Sequence, residues 1–148
     1  MITLQQVQEA SILLADQIEE WWQNFDVVLA IGKGWLIIAY YIAKVLWIHS
    51  VQVVSVKSYN WKTQDTIKDY TPELNIYPWA RYLIVDDLLD TWATMEYTLN
   101  TYFKQSWALY KTAVLYQKKH SKVNADYCFA NIGDQRIDFE FDNLGLTS

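Results

Sequence analysis

The sequence predicts an α/β fold with a mainly parallel central sheet flanked by helices. Two observations carry that expectation. Short β-branched apolar runs, Asp26–Ile31 (DVVLAI) and Arg81–Val85 (RYLIV), have no polar alternation and so read as strands covered on both faces. Between and around them lie stretches whose apolar residues recur in steps of three and four, the helical period. Strands alternating with helices in this way build parallel sheets rather than sandwiches or bundles.

Taken in order, Leu4 to Trp22 is a helix, with Leu4, Val7, Ala10, Leu14, Ile18 and Trp21 on one face. Asp26 to Ile31 is the first strand, and Gly32-Lys33-Gly34 breaks it. Leu36 to Leu46 is apolar nearly all round and reads as a buried helix. Val51 to Val56 is a strand. Ser58 to Pro78 is polar and weakly patterned, and reads as a long loop of the kind that serves function. Arg81 to Val85 is a third strand ending at Asp86-Asp87. Thr94 to Lys104 is a helix, Tyr110 to Tyr116 and Tyr127 to Ala130 are further strands, and Phe139 to Phe141 is ambiguous.

A chain of 148 residues makes one domain with a proper core. Its net charge of -5 argues against a general nucleic-acid binder or an anionic membrane surface, both of which demand clustered Lys and Arg. Cys128 is the lone cysteine, which excludes an internal disulfide and a multi-cysteine zinc site; within an apolar strand it reads as buried and inert. Met1-Ile2-Thr3-Leu4 lacks the start of a signal peptide, and the longest apolar run, Trp35–Tyr41, is too short to span a bilayer. A soluble, cytoplasmic protein is expected. The aromatic content is unusual: 8 Trp and 11 Tyr stand against 4 Gly and 2 Pro, although a fold with many tight turns draws on Gly and Pro.

Ligands of parallel sheets bind at the carboxyl ends of strands, where Ile31-Gly32-Lys33-Gly34 and Asp86 to Thr94 fall. Two adjacent acids at the end of an apolar strand are costly to desolvate and call for a metal, hydroxyls or backbone N–H groups. Asp90 adds a third acid, and Thr91 and Thr94 flank the start of a helix, where phosphate binds free N–H groups. On the residues alone, the alternatives stay open: a ligand site, a solvated acid pair with a helix cap, or a Mg²⁺-dependent phosphohydrolase.

Tyr82-Leu83-Ile84-Val85-Asp86-Asp87-Leu88-Leu89-Asp90-Thr91-Trp92-Ala93-Thr94 resembles the ribose-phosphate signature of type I phosphoribosyltransferases: four apolar residues, two acids, two apolar residues, then Asp-Thr-Gly-x-Thr. Further segments match in order. Val27 to Leu36 resembles the family's pyrophosphate loop, with Lys33 in its basic place. Val56-Lys57-Ser58-Tyr59 resembles the Ser-Tyr start of its flexible catalytic loop. Leu115 to Ser121 with Ala125-Asp126-Tyr127 resembles a stretch of the xanthine, guanine and hypoxanthine enzymes, and Arg136 to Asp142 weakly resembles their C-terminal hood.

The resemblance implies one domain over 1–148, a core of about 24–130 and a hood from 1–23 and 131–148. It implies that Asp86 and Asp87 hold the ribose hydroxyls directly or around Mg²⁺, and that Asp90 is the general acid/base facing purine N7. Thr91, Trp92, Ala93 and Thr94 would hold the 5′-phosphate, and Lys33 would meet pyrophosphate. Lys118 would donate to the purine 6-oxo group, Ile137 would meet the base through its backbone, and Ser58 and Tyr59 would open the catalytic loop. It further implies phosphoribosyl pyrophosphate and a purine base as partners, and a homodimer or homotetramer with the helix after Trp35 as a contact surface.

The chain departs from the pattern at Trp92 and Trp35, each standing where the family has Gly; Arg136 stands at an aromatic position and Glu140 at a Pro position. These departures leave open a catalytically impaired or non-catalytic domain that binds phosphoribosyl pyrophosphate or a nucleotide. They also leave open an engineered, decayed or diverged chain. Trp21, Trp22 and Trp47 read as core or hood packing, His49 as a surface or cap residue, and His120 as lacking the neighbours of a metal ligand.

Overall fold

A computed structural model describes residues 1–20, 24–32, 36–61 and 64–140. Helix α1 (Leu4–Glu20) precedes strand β1 (Val27–Ile31), helix α2 (Leu36–Val45) and strand β2 (Ser50–Val54). Strands β3 (Val56–Trp61) and β4 (Gln64–Asp69) follow, then β5 (Arg81–Leu89) and α3 (Ala93–Thr98). A π-helical stretch (Leu99–Phe103) continues α3, and β6 (Leu109–Lys118) and β7 (Tyr127–Gly133) complete the order.

Five strands form one sheet in the order β2-β1-β5-β6-β7, and each neighbouring pair is parallel. The expected mainly parallel α/β sheet is thus observed. All five residues of β1 are buried because both faces are covered. Val28 and Ala30 join Leu83, Val85, Ala113 and Leu115 under α1 and α2, in a cluster that includes Val7, Leu14, Ile38 and Ile42. The alternate residues Val27, Leu29 and Ile31 join Tyr82, Ile84, Met95 and Phe103 on the other face. The period of two along each strand sorts the side chains between these two layers.

The N-terminus of α1 is capped reciprocally. The Thr3 Oγ1 accepts from Gln6 N–H at 3.1 Å, and Gln6 Oε1 accepts from Thr3 N–H at 2.8 Å, satisfying two otherwise orphaned donors. Glu140 reaches the same turn, its carboxylate accepting from Leu4 N–H at 2.8 Å. An isolated parallel bridge, Ile2 to Phe139, joins the two terminal segments. Glu140 therefore works as a clasp, its negative charge set against the positive end of α1.

Several boundaries differ from the sequence expectation. β5 does not stop at Val85 but runs to Leu89, because β6 continues to pair with it through Asp86↔Val114 and Leu88↔Tyr116. Asp86 and Asp87 thus lie within a strand rather than in the turn beyond it. The segment expected as a loop from Ser58 to Pro78 contains the antiparallel hairpin β3–β4. A two-stranded ribbon apart from the main sheet need not alternate apolar and polar residues, which is why its pattern was weak. The strand expected over Val51–Val56 divides at Ser55, whose N–H donates to Thr71 Oγ1 at 2.8 Å. The expected helix Thr94–Lys104 is α3 followed by the wider π-helical turn. Trp47, expected in packing, is instead exposed just past α2. Trp21 and Trp22 lie outside the described residues.

Candidate active site

Beyond β1 and β2 the chain crosses to β5, so strand order reverses between β1 and β5. A crevice at the carboxyl ends of such a pair is the usual ligand position of an open parallel sheet. β1 ends there at Ile31, and Gly32 follows with φ 86 and its N–H donating to Val54 O at 2.7 Å. Asp86 and Asp87 lie on β5 at the same end. Lys33, Gly34 and Trp35 lie outside the described residues.

Asp86 is buried and Asp87 half-buried. Burial pushes the Asp86 carboxyl up to about 6, opposed by hydrogen bonding with Asp87, whose N–H donates to Asp86 Oδ1 at 2.8 Å. Burial also raises Asp87 well above the carboxylate range, and the neighbouring Asp86 charge adds to it. Two hard oxygen donors whose charge is under-compensated suit a cation such as Mg²⁺ or a pair of hydroxyls. Among the described residues no group of three or more His, Cys, Asp or Glu is arranged to hold a metal. A Mg²⁺ held by this pair would complete its octahedron with substrate oxygens and water, as Mg²⁺ commonly does.

Asp90 follows β5 and is the hub of the site. Its Oδ2 lies 3.5 Å from Lys118 Nζ at the end of β6. Its Oδ1 meets His120 Nε2 in a close hydrogen bond. The other ring nitrogen, Nδ1, lies 3.6 Å from Asp134 Oδ1, just past β7. Parallel pairing explains the assembly, because β5, β6 and β7 end side by side and Lys119 N–H donates to Gly133 O at 2.8 Å. Asp90 and Lys118, singled out from the sequence, are thus brought together. His120 and Asp134 were not expected here. His120 lies in the segment Leu115 to Ser121 that resembles the family, whereas the signal for Asp134 was only that it follows a strand end.

Thr91, Trp92, Ala93 and Thr94 form the turn into α3. Trp92 sits at its N-cap with φ 74 and ψ -10, a left-handed conformation, and no side chain caps the helix. Ala93 N–H points to Thr91 Oγ1 at a long 3.4 Å. Ser58 and Tyr59 fall on β3, opposite Ile67 and Thr66 of β4. Ile137 lies on the returning C-terminal segment and is half-buried against the core under α1. Cys128, expected to be buried, is half-buried on β7; burial raises its thiol, which keeps it a poor nucleophile. His49 is exposed.

A cleft of about 1040 Å³ is at the opposite end of the sheet, lined by Asp16, Glu19, Asp26 and Arg81 among others. It shares no residue with the acid pair. Among the described residues no helix is long and apolar enough to cross a membrane.

Comparison with known proteins agrees with the fold. The purine phosphoribosyltransferase of Pyrococcus horikoshii superposes with a TM-score of 0.81 at 25% identity, covering 100% of this chain and 99% of that one. A hypothetical protein of Neisseria gonorrhoeae with bound ppGpp gives 0.77 at 25% identity, covering 97% of this chain and 88% of that one. The xanthine-guanine-hypoxanthine phosphoribosyltransferase of Helicobacter pylori shares the fold, with a TM-score of 0.77 at 21% identity over 95% of this chain and 94% of that one. The family described as the phosphoribosyl transferase domain matches residues 3–144, nearly the whole length, and the chain belongs to that family.

Proposed function

We propose that the protein transfers phosphoribose from phosphoribosyl pyrophosphate to a 6-oxopurine base (xanthine, guanine or hypoxanthine) and releases pyrophosphate. The observation that carries this reading is the acid pair at the reversal of strand order, followed at once by Asp90 in contact with Lys118 and His120.

In the reaction the bond from the ribose anomeric carbon to pyrophosphate oxygen breaks and a bond to a purine nitrogen forms. The proton lost by the base goes to Asp90, which faces N7, a contribution of roughly 10²–10⁴-fold. Asp86 and Asp87 hold the ribose hydroxyls, and they are the residues that would hold Mg²⁺, which supplies charge neutralisation for the leaving pyrophosphate. Lys33 meets the same leaving charge. Thr91 to Thr94 bind the 5′-phosphate. Lys118 leaves Asp90 to donate to the 6-oxo oxygen, and Ile137 meets the base through its backbone. Ser58 and Tyr59, midway along β3, belong to a hairpin that closes over the substrate and excludes the water that would hydrolyse the sugar. The working form is a homodimer or homotetramer.

A second reading, a non-catalytic domain that binds phosphoribosyl pyrophosphate or a nucleotide, is favoured by the indole of Trp92 within the phosphate turn. Calorimetric titration of phosphoribosyl pyrophosphate with Mg²⁺, followed by addition of each purine and assay of pyrophosphate, separates the two. Binding with turnover on one base is the expected result. Binding without turnover supports the second reading, and absence of binding overturns both.

A further inference from the structure

We infer that glycine, not tryptophan, occupies positions 47, 79, 92 and 107 in the protein as its own cell makes it. Among the described residues, the non-glycine positions with positive φ are Trp47 (58), Trp79 (65), Trp92 (74) and Trp107 (62). The only other such positions belong to glycines, Gly32 and Gly133. About a few per cent of non-glycine residues adopt this region, with Asn, Asp and His enriched among them. No Asn, Asp or His does so among the described residues. Four bulky aromatic residues sharing a conformation that an L-residue avoids is not a propensity effect.

Two of the surrounding motifs specify glycine independently. After α2, Ile48 N–H donates to Ala43 O at 2.8 Å and Trp47 N–H to Lys44 O at 3.4 Å. That is the Schellman pair of hydrogen bonds, with Trp47 at the position glycine normally fills. In Tyr77-Pro78-Trp79-Ala80, Ala80 N–H donates to Tyr77 O at 3.3 Å. Proline at the second place and positive φ at the third define a type II turn, whose third residue is glycine. Trp107 joins the π-helical stretch and its following turn to β6, and Trp92 starts α3.

Trp79 and Trp107 stack on each other and Trp92 packs against the core, but the three indoles other than Trp92 stay largely in solvent. Trp47, Trp79 and Trp107 are 81%, 71% and 72% exposed, whereas tryptophan is on average among the well-buried residues. Composition agrees: 8 Trp against 4 Gly inverts the usual ratio. A single codon accounts for such a systematic exchange. UGA is read as tryptophan in some genetic codes and as glycine in others. With glycine at position 92, the turn Asp90–Thr94 loses its only bulky side chain.

The test reads the codons at the four positions and the masses of the peptides spanning them in protein isolated from its source cells. UGA codons with glycine-mass peptides are expected; UGG codons or tryptophan-mass peptides overturn the inference. Independently, the chain with glycine at all four positions is compared with the tryptophan chain and with an all-alanine chain, which keeps the Cβ. The glycine chain should melt on the order of 10 °C above the tryptophan chain, with the alanine chain well below it. A glycine chain melting no higher than the alanine chain overturns the inference. None of these readouts involves catalysis, so they stand or fall apart from the proposed reaction.

Discussion

Asp90 and Asp86 are both carboxylates at one strand end, but their surroundings set them different tasks. Asp90 is half-buried, with Lys118 and His120 against its two oxygens. Asp90→Asn should lower the rate by roughly 10²–10⁴-fold with little change in affinity for phosphoribosyl pyrophosphate, measured by pyrophosphate release and calorimetry. An equal loss in both would assign Asp90 to binding alone. Asp86 is buried beside a second acid, and burial is what raises it. Asparagine keeps the acceptor for Asp87 N–H while removing the charge. Asp86→Asn should therefore stabilise the metal-free protein by about 1–2 kcal/mol at neutral pH while weakening Mg²⁺-dependent substrate binding. Urea unfolding checks the first half, and a loss of stability would show that the pair is already compensated. The acid pair and Asp90 were legible in the sequence because their motif is contiguous, and Lys118 because its own segment, Leu115 to Ser121, resembles the family. His120 and Asp134 were not, because their contact depends on which strands are neighbours.

At the scale of elements, Asp69 ties the hairpin to the helix. On β4, its Oδ2 accepts from Tyr97 Oη at 2.9 Å and Tyr102 Oη at 2.5 Å, and its Oδ1 from Thr71 N–H at 2.8 Å. Burial pushes its carboxyl up, but the hydrogen bonds from Thr71, Tyr102 and Tyr97 outweigh that and hold it below the ordinary value. A native pKa below the unfolded value means the native state binds fewer protons between the two. The stabilisation is therefore complete above the unfolded-chain value near pH 4 and lost as pH falls through the native one. Asp69→Ala should cost about 2 kcal/mol at pH 7, and the difference from the parent chain should shrink below about pH 4. Denaturation curves at stepped pH measure it; a pH-independent difference would mean packing rather than charge. The same element shows where sequence reading stopped. Continuous apolar runs marked β1 and β5, which lie between two covered layers, but no such run marks β3 and β4, which pair only with each other. The end of β5 was set by its partner β6 rather than by its own residues.

At the scale of the whole molecule, α2 leaves Leu36 and Tyr40 exposed four residues apart, on one side of a helix whose other side is core. An assembly through this face is expected from light scattering of the purified protein, and Tyr40→Lys should release monomers. A parent chain that is monomeric, or a variant of unchanged mass, would remove α2 from the interface. The order of apolar runs and helical periods along the chain already determined an α/β sheet, since a fully buried strand must be apolar at every position and a flanking helix on one stripe. The chain also carried the candidate ligand segment, because Asp86 to Thr94 is continuous in sequence. Only the tertiary structure decided the sheet order that brings β6 and β7 beside β5, and hence Lys118, His120 and Asp134 around Asp90. Only it decided which tryptophans occupy left-handed backbone. Both depend on where distant segments meet and how the chain must turn to bring them there, and neither is a property of a residue and its immediate neighbours alone.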